Sequence, residues 1–232
     1  MCNQLRVELF KLRRFWLLYL AAAGMFAAGF SWGYIKLTDV GFSVYDAFAA
    51  ANNDTSFVFV LALVAAWFVG NDFSTRTIQH EVTSGHSRWS VLCVRVLPAV
   101  LSGIILHCVF VSSTMLGVGL KSGFGGGSFS VRDILWFATI LLQLSAVQAI
   151  VTFIAFLCAK APGAIAASVC VIFIGCNVLR NYFDGAFFTR TVFYFAQDSS
   201  YGNLGLTGAV AAVTLAASVA FTYLIFRKRE IR

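Results

Sequence analysis

Residues 89–120 read WSVLCVRVLPAVLSGIILHCVFVSSTMLGVGL. Arg95 is the one formally charged side chain in these 32 positions, and His107 the one histidine. Crossing the hydrocarbon core of a bilayer takes about 20 predominantly apolar residues as a helix. The run therefore predicts a membrane-spanning helix, long enough to tilt, with Pro98 placed to kink it near its start. Working outward, comparable apolar runs occupy residues 15–35, 47–70, 133–159, 163–180 and 206–226. The expected fold is an all-α, polytopic membrane protein with about six transmembrane helices. Residues 1–232 then form a single transmembrane domain. Residues 121–130, with Gly-Phe-Gly-Gly-Gly-Ser, read as a flexible loop. Lys160-Ala161-Pro162-Gly163 reads as a tight connection, with Pro162 opening the next helix.

Composition agrees. Hydrophobic residues make up 59% of the chain and charged residues 12%, against roughly 25% charged in a soluble domain. Aromatics reach 16%, 24 of them Phe, which fits lipid-facing and interfacial surface. The net charge of +7 sits at the two chain ends and beside the apolar runs. No basic stripe marks a nucleic-acid interface, and no nucleic-acid partner is expected. Six cysteines (Cys2, Cys93, Cys108, Cys158, Cys170, Cys176) lie scattered without C-x-x-C spacing, which reads as small buried hydrophobes rather than a metal or disulfide framework.

Charge also orients the spans. With the N-terminus inside, the inner side holds 12 Lys and Arg residues and the outer side 5. Six spans return the C-terminus to the same basic side, so both termini are expected in the cytoplasm. Ahead of the first span, Leu5, Leu9, Leu12 and Trp16 share a helical stripe, with Arg6, Lys11, Arg13 and Arg14 off it. That pattern predicts a short helix lying in the inner interface. The first span itself is expected to be retained rather than removed as a signal.

The connection at residues 71–88, NDFSTRTIQHEVTSGHSR, is far longer than a turn needs. Asn71 or Asp72 is placed to cap a helix start, Ser84-Gly85 to end it, and Ser87 to cap the next helix at Arg88. A cytoplasmic helix between spans 2 and 3 is expected.

Here the chain resembles the ABC-2 type permeases, the membrane subunits of ATP-binding-cassette exporters. The likeness is carried by Phe68-x-x-Asn71-Asp72-Phe73-x-x-Arg76-Thr77-Ile78, by Ser84-Gly85-x-Ser87-Arg88, and by a later basic residue, Arg95. Glu8-Leu9-x-Lys11-Leu12-Arg13 is similar to the family's opening segment. Arg95 stands where Lys is usual, and Arg76 replaces a common Gly. The nearest likeness is to small bacterial permeases beside bacitracin- or lantibiotic-resistance ATPases. What the resemblance implies is a multi-pass protein of the bacterial cell membrane, pairing with a second permease copy or a sister permease and with two ABC ATPase subunits. It implies that the helix after the second span is a coupling helix, with Asn71, Asp72, Phe73, Arg76, Thr77, Ile78, Glu81 and Arg88 at the ATPase contact. It implies an interfacial helix marked by Leu5, Glu8, Leu9, Lys11 and Leu12, and export of an amphiphilic substrate such as an antimicrobial peptide, drug or lipid. The chain has no G-x-x-x-x-G-K-[ST] phosphate loop, so ATP and Mg would belong to the partner subunit.

Other constellations carry less. His80, Glu81 and His86 lack metalloprotease spacing, and no metal site is expected. No nucleophile–base pair or paired carboxylates lie in the spans, so no catalytic residues are expected and the chain is not read as an enzyme. His107 is expected to hydrogen-bond to a neighbouring helix. Gln143, Gln148 and Thr152 are expected to bond between helices, and the small residues at 21–24 and 27–29 to allow close helix approach. The aromatic outer segment 181–205, with Tyr182, Phe183, Phe187 and Phe188, reads as a re-entrant or interfacial element and outer gate. The alternative function is a substrate-capture membrane component of the vitamin-binding type, which would not need the capped helix at 71–84.

Overall fold

The computed structural model describes residues 2–54, 56–125, 127, 129–175 and 204–228. Every regular element among them is helical. The helices are α1 (Cys2–Arg14), α2 (Trp16–Ser31, continued by a π-helical turn Trp32–Leu37), α3 (Val44–Asn53), α4 (Val58–Ser74), α5 (Thr77–Thr83), α6 (Arg88–Ser122), α7 (Val131–Cys158), α8 (Ala161–Phe173) and α9 (Leu204–Lys228). Four of these are long and apolar enough to cross a membrane: α2 with its π turn, α6, α7 and α9. The pair α3–α4 passes the same test as one unit bent by 56°. The chain is a helical membrane protein.

The run at 47–70, read from sequence as one span, is thus a broken helix. Its break has a local cause: the Asp54 side chain accepts a hydrogen bond from the Ser56 backbone N–H at 2.7 Å, turning the chain between the two pieces. Asn52 is buried at 2% exposure, with its side-chain oxygen 3.0 Å from His107 Nε2 of α6. His107 thereby meets the expectation of a bond to a neighbouring helix. Gln148 does not. Its amide is fully buried against the backbone of α6 at Gly103 and makes no hydrogen bond, and Thr152 bonds back to its own helix at Gln148 O.

Local chemistry explains most helix boundaries. Ser43 with Asp46, and Ser130 with Asp133, form capping boxes that start α3 and α7. Asp133 also accepts from Tyr45 Oη at 2.9 Å, which joins those two starts. Pro162 lies in the first turn of α8, as the spacing predicts. Residues 176–180, the rest of the expected fifth span, and 181–203, including Tyr182, Phe183, Phe187 and Phe188, lie outside the described residues.

Packing pairs α2 with α6, α4 with α8, and α7 with α9. The first contact is a backbone approach. Gly29 and Gly33 on α2 face Ser113, Thr114 and Gly117 on α6, and a Cβ on Gly117 would stand 2.6 Å from Phe30 O. Small residues at four-residue spacing let two membrane helices reach van der Waals contact where apolar side chains alone give no driving force. Gly24, in the small-residue stretch expected to allow close approach inside the subunit or across a dimer, makes no such approach within the chain.

Candidate functional site

At 35 residues, α6 is about 52 Å long, well beyond the roughly 30 Å hydrocarbon core. Its first turns lie at the end where α1 and α5 gather. Arg95 lies there, fully buried.

Three carboxylates from three other helices converge on its guanidinium. Glu81 of α5 accepts an aligned hydrogen bond from Nη2 at 2.9 Å. Asp72 of α4 pairs with Nε at 2.9 Å, and Glu8 of α1 with Nη1 at 3.4 Å. Lys11 closes the group, 2.6 Å from Glu8 and 3.6 Å from Asp72. Glu8 is 1% exposed, and Asp72 is buried as well. Three negative charges face two positive ones, leaving the cluster at −1. Removing such charges from water costs several kcal/mol per ion, and only converging partners offset this. Arg suits the position: its charge is spread over three nitrogens that each lie within 3.4 Å of a different carboxylate, and Nη2 makes the one aligned hydrogen bond, to Glu81.

Burial pushes the Glu8 carboxyl above its ordinary value of 4.5, against the opposing pull of Arg95 and Lys11. A carboxyl raised in the fold stabilises most below its unfolded value, and this contribution is lost as pH rises through the folded value. We expect the thermal midpoint of the chain to rise on acidification from neutral pH toward 5, and Glu8→Gln to flatten that slope. Paired thermal scans across the window check it; identical slopes would contradict the assignment.

The element that carries Glu81 forms for identifiable reasons. Asn71 or Asp72 is predicted to cap it, but neither does, because α4 runs on to Ser74 and the cap position falls on Arg76. The chain reverses at Arg76, whose φ of 58° is left-handed, a conformation costing roughly 1–2 kcal/mol for a side chain other than Gly. Then α5 runs seven residues and ends in a Schellman motif. Gly85 N–H donates to Val82 O, and His86 N–H to Glu81 O, with Gly85 at φ 92°. Ser87 caps α6 by accepting from Ser90 N at 3.2 Å, as predicted.

The sequence-predicted coupling residues separate into two groups. Asp72 and Glu81 join the ionic cluster, Ile78 is 1% exposed in the core, and Phe73 packs edge-on against Phe156 at 4.9 Å. Asn71 and Arg76 are exposed, and Thr77 is half-buried. Arg88 is spent inside the fold: its guanidinium donates to the carbonyls of Phe226 and Arg227, closing the C-terminus of α9.

In α1, Leu12 and Glu8 face the protein, Leu5 and Lys11 are half-buried, and Leu9 and Trp16 are exposed. The inward side of α1 thus carries Leu12 and the ion pair from Glu8 to Arg95, while Leu9 and, at the start of α2, Trp16 stay exposed. Ser90 Oγ donating to Gln4 Oε1 at 2.8 Å adds a second tie to α6.

No protein-family model, curated protein or solved structure matches the chain. What the cluster does must then be inferred from its own geometry. It joins α1, α4, α5 and α6 at one point. Among the described residues, no group of three or more His, Cys, Asp or Glu side chains is arranged to hold a metal ion. His80 and His86 are both exposed.

The part that sequence reasoning missed is the hub. In the sequence Arg95 reads only as a basic residue trailing the 71–88 connection. The available signal was its isolation: one charge in a long apolar run must find acids, and Glu8, Asp72 and Glu81 all flank the ends of apolar segments nearby.

Proposed function

We propose that this chain is the membrane-spanning permease subunit of an ATP-binding-cassette exporter of the ABC-2 type. On this reading it has six spans, with α3–α4 as the second crossing and α8 as the described part of the fifth. Both termini lie in the cytoplasm. α5 is the coupling helix, and the ATPase that drives it is a separate subunit. The cargo is amphiphilic.

One observation carries the reading: the short helix α5 is bonded through Glu81 to the same arginine that holds α1 and α4. A displacement of α5 is then felt at once by the interfacial helix, the second span and the third. Such a device passes on a rigid-body movement instead of absorbing it in a loop. The outward side of α5 remains free to meet a partner, with Arg76, His80 and Thr83 exposed. The substrate-capture alternative has no use for a surface helix wired into the spans.

A photo-crosslinking amino acid at His80, in cells producing the full chain, is expected to trap a nucleotide-hydrolysing subunit. Crosslinks to lipid alone would contradict the coupling role.

A further inference from the structure

The outward face of α1 has a composition that the coupling role does not use. At 100° per residue, Phe10 lies opposite Glu8 and Leu12 among Arg6, Arg13 and Arg14, with Val7 and Leu9 at the two edges of that face. All six are exposed, Val7 at 54% and Phe10 at 55%. The Arg14 guanidinium lies 4.6 Å over the Phe10 ring, so charge and apolar surface form one patch. Among the described residues, no carboxylate is within ion-pair distance of these three arginines.

The reason lies in the cluster. All three described carboxylates at this end of the molecule, Glu8, Asp72 and Glu81, are drawn inward to Arg95 and Lys11. The cations outside the cluster stay exposed, with Arg76, Arg227 and Lys228 adding to those of α1. Internalising these three acids leaves, among the described residues at this end, exposed charge of one sign. Position supplies the second constraint: α1 ends at Arg14, and the spanning helix α2 begins two residues later at Trp16. The patch is thus held at the level where a leaflet presents its headgroups.

We propose that this face of α1 is a binding surface for anionic phospholipid headgroups. The arginines pair with the lipid phosphates, while Val7, Leu9 and Phe10 sink into the acyl boundary. Because Glu8 anchors the opposite face, the bound lipid clamps α1 against the ionic cluster. The proposal depends on α2 spanning a bilayer and is independent of any ATPase.

The test is hydrogen–deuterium exchange of the full chain in nanodiscs of phosphatidylcholine, with or without phosphatidylglycerol. Each basic side chain near an anionic surface is worth roughly a fivefold change in equilibrium. Exchange of α1 amides is therefore expected to slow by at least tenfold in the anionic discs. The triple variant Arg6→Gln, Arg13→Gln, Arg14→Gln should abolish the difference while α6 and α7 exchange as before. High salt on the unaltered chain should shrink it too, which tests the claim without any variant. Equal α1 exchange in the two lipids would overturn the proposal. So would a difference that survives high salt, or protection that appears only when a soluble acidic protein is added.

Discussion

Arg95→Ala should be the most damaging single substitution in the chain. It leaves Glu8, Asp72 and Glu81 facing Lys11 alone, and moves the buried cluster from −1 to −2. Breaking a buried charge network by removing one partner costs about 3–5 kcal/mol, because the charges left behind stay out of water without compensation. The expected result is a collapse of the thermal midpoint and of monodisperse protein in size-exclusion chromatography. Arg95→Lys should recover only part of the loss, since one compact ammonium cannot stand beside Glu8, Asp72 and Glu81 as three separate guanidinium nitrogens do. The informative companion is compensation. Glu81→Gln placed on Arg95→Ala removes one orphaned charge, and should restore stability relative to the single variant. If Arg95→Ala unfolded no more readily than an exposed control such as Arg13→Ala, the cluster would not be holding these helices.

The second large effect is expected at Gly117. A Cβ there would lie 2.6 Å from Phe30 O and 2.9 Å from Tyr34 N. Both are backbone atoms, and neither can swing aside as a side-chain tip would. Forcing extra methylene groups into a filled contact costs about 1–3 kcal/mol where side chains can adjust. Gly117→Val, set against main chain, should reach the top of that range and prise α2 from α6. Gly24→Val is the matched control, with nothing within 4 Å of its Cβ. Its effect should stay within about 0.5 kcal/mol, as for exposed positions elsewhere. Thermal midpoints of the two variants decide the matter, and equal losses would contradict the close approach.

Much of the architecture was legible in the chain because membrane spans obey a single strong rule. Backbone polar groups in lipid must be satisfied within the segment, so a long uncharged run becomes a helix. The runs around α2, α6, α7 and α9 obey it directly. The second run did not read correctly, because its polar break at Asp54 looks the same in sequence as an interfacial end. The caps at Ser87 and Pro162 were legible, since each acts within three residues of itself. The start of α5 was not. Asn71 is a good cap by type, but α4 overrides that preference and the reversal falls on a left-handed Arg76. Nothing local in an arginine announces that conformation.

At the candidate site the acids and the basic residue were each visible, yet their convergence was not. Glu8, Asp72, Glu81 and Arg95 come from four helices, and only tertiary packing brings them within reach of one another. The stripe of Leu5, Leu9, Leu12 and Trp16 predicts an interfacial helix, and it gives no sign that Glu8 beside it would pair with Arg95 of α6. Arg88, grouped by motif with the coupling residues, closes α9 because the carbonyls of Phe226 and Arg227 need a donor.

The coupling claim is tested most directly by purifying the full chain from its native membranes in mild detergent and assaying the eluate for ATP hydrolysis. The chain carries no phosphate loop, and on the proposed reading the activity belongs to a bound partner. The surface of α5 is then changed by Arg76→Glu with His80→Glu, two exposed positions outside the ionic cluster. The account predicts an ATPase that co-elutes with the unaltered chain and is lost from the double variant, while the thermal midpoint of the chain stays unchanged. ATP hydrolysis retained at full level by the double variant, or absent from the unaltered chain, would contradict it.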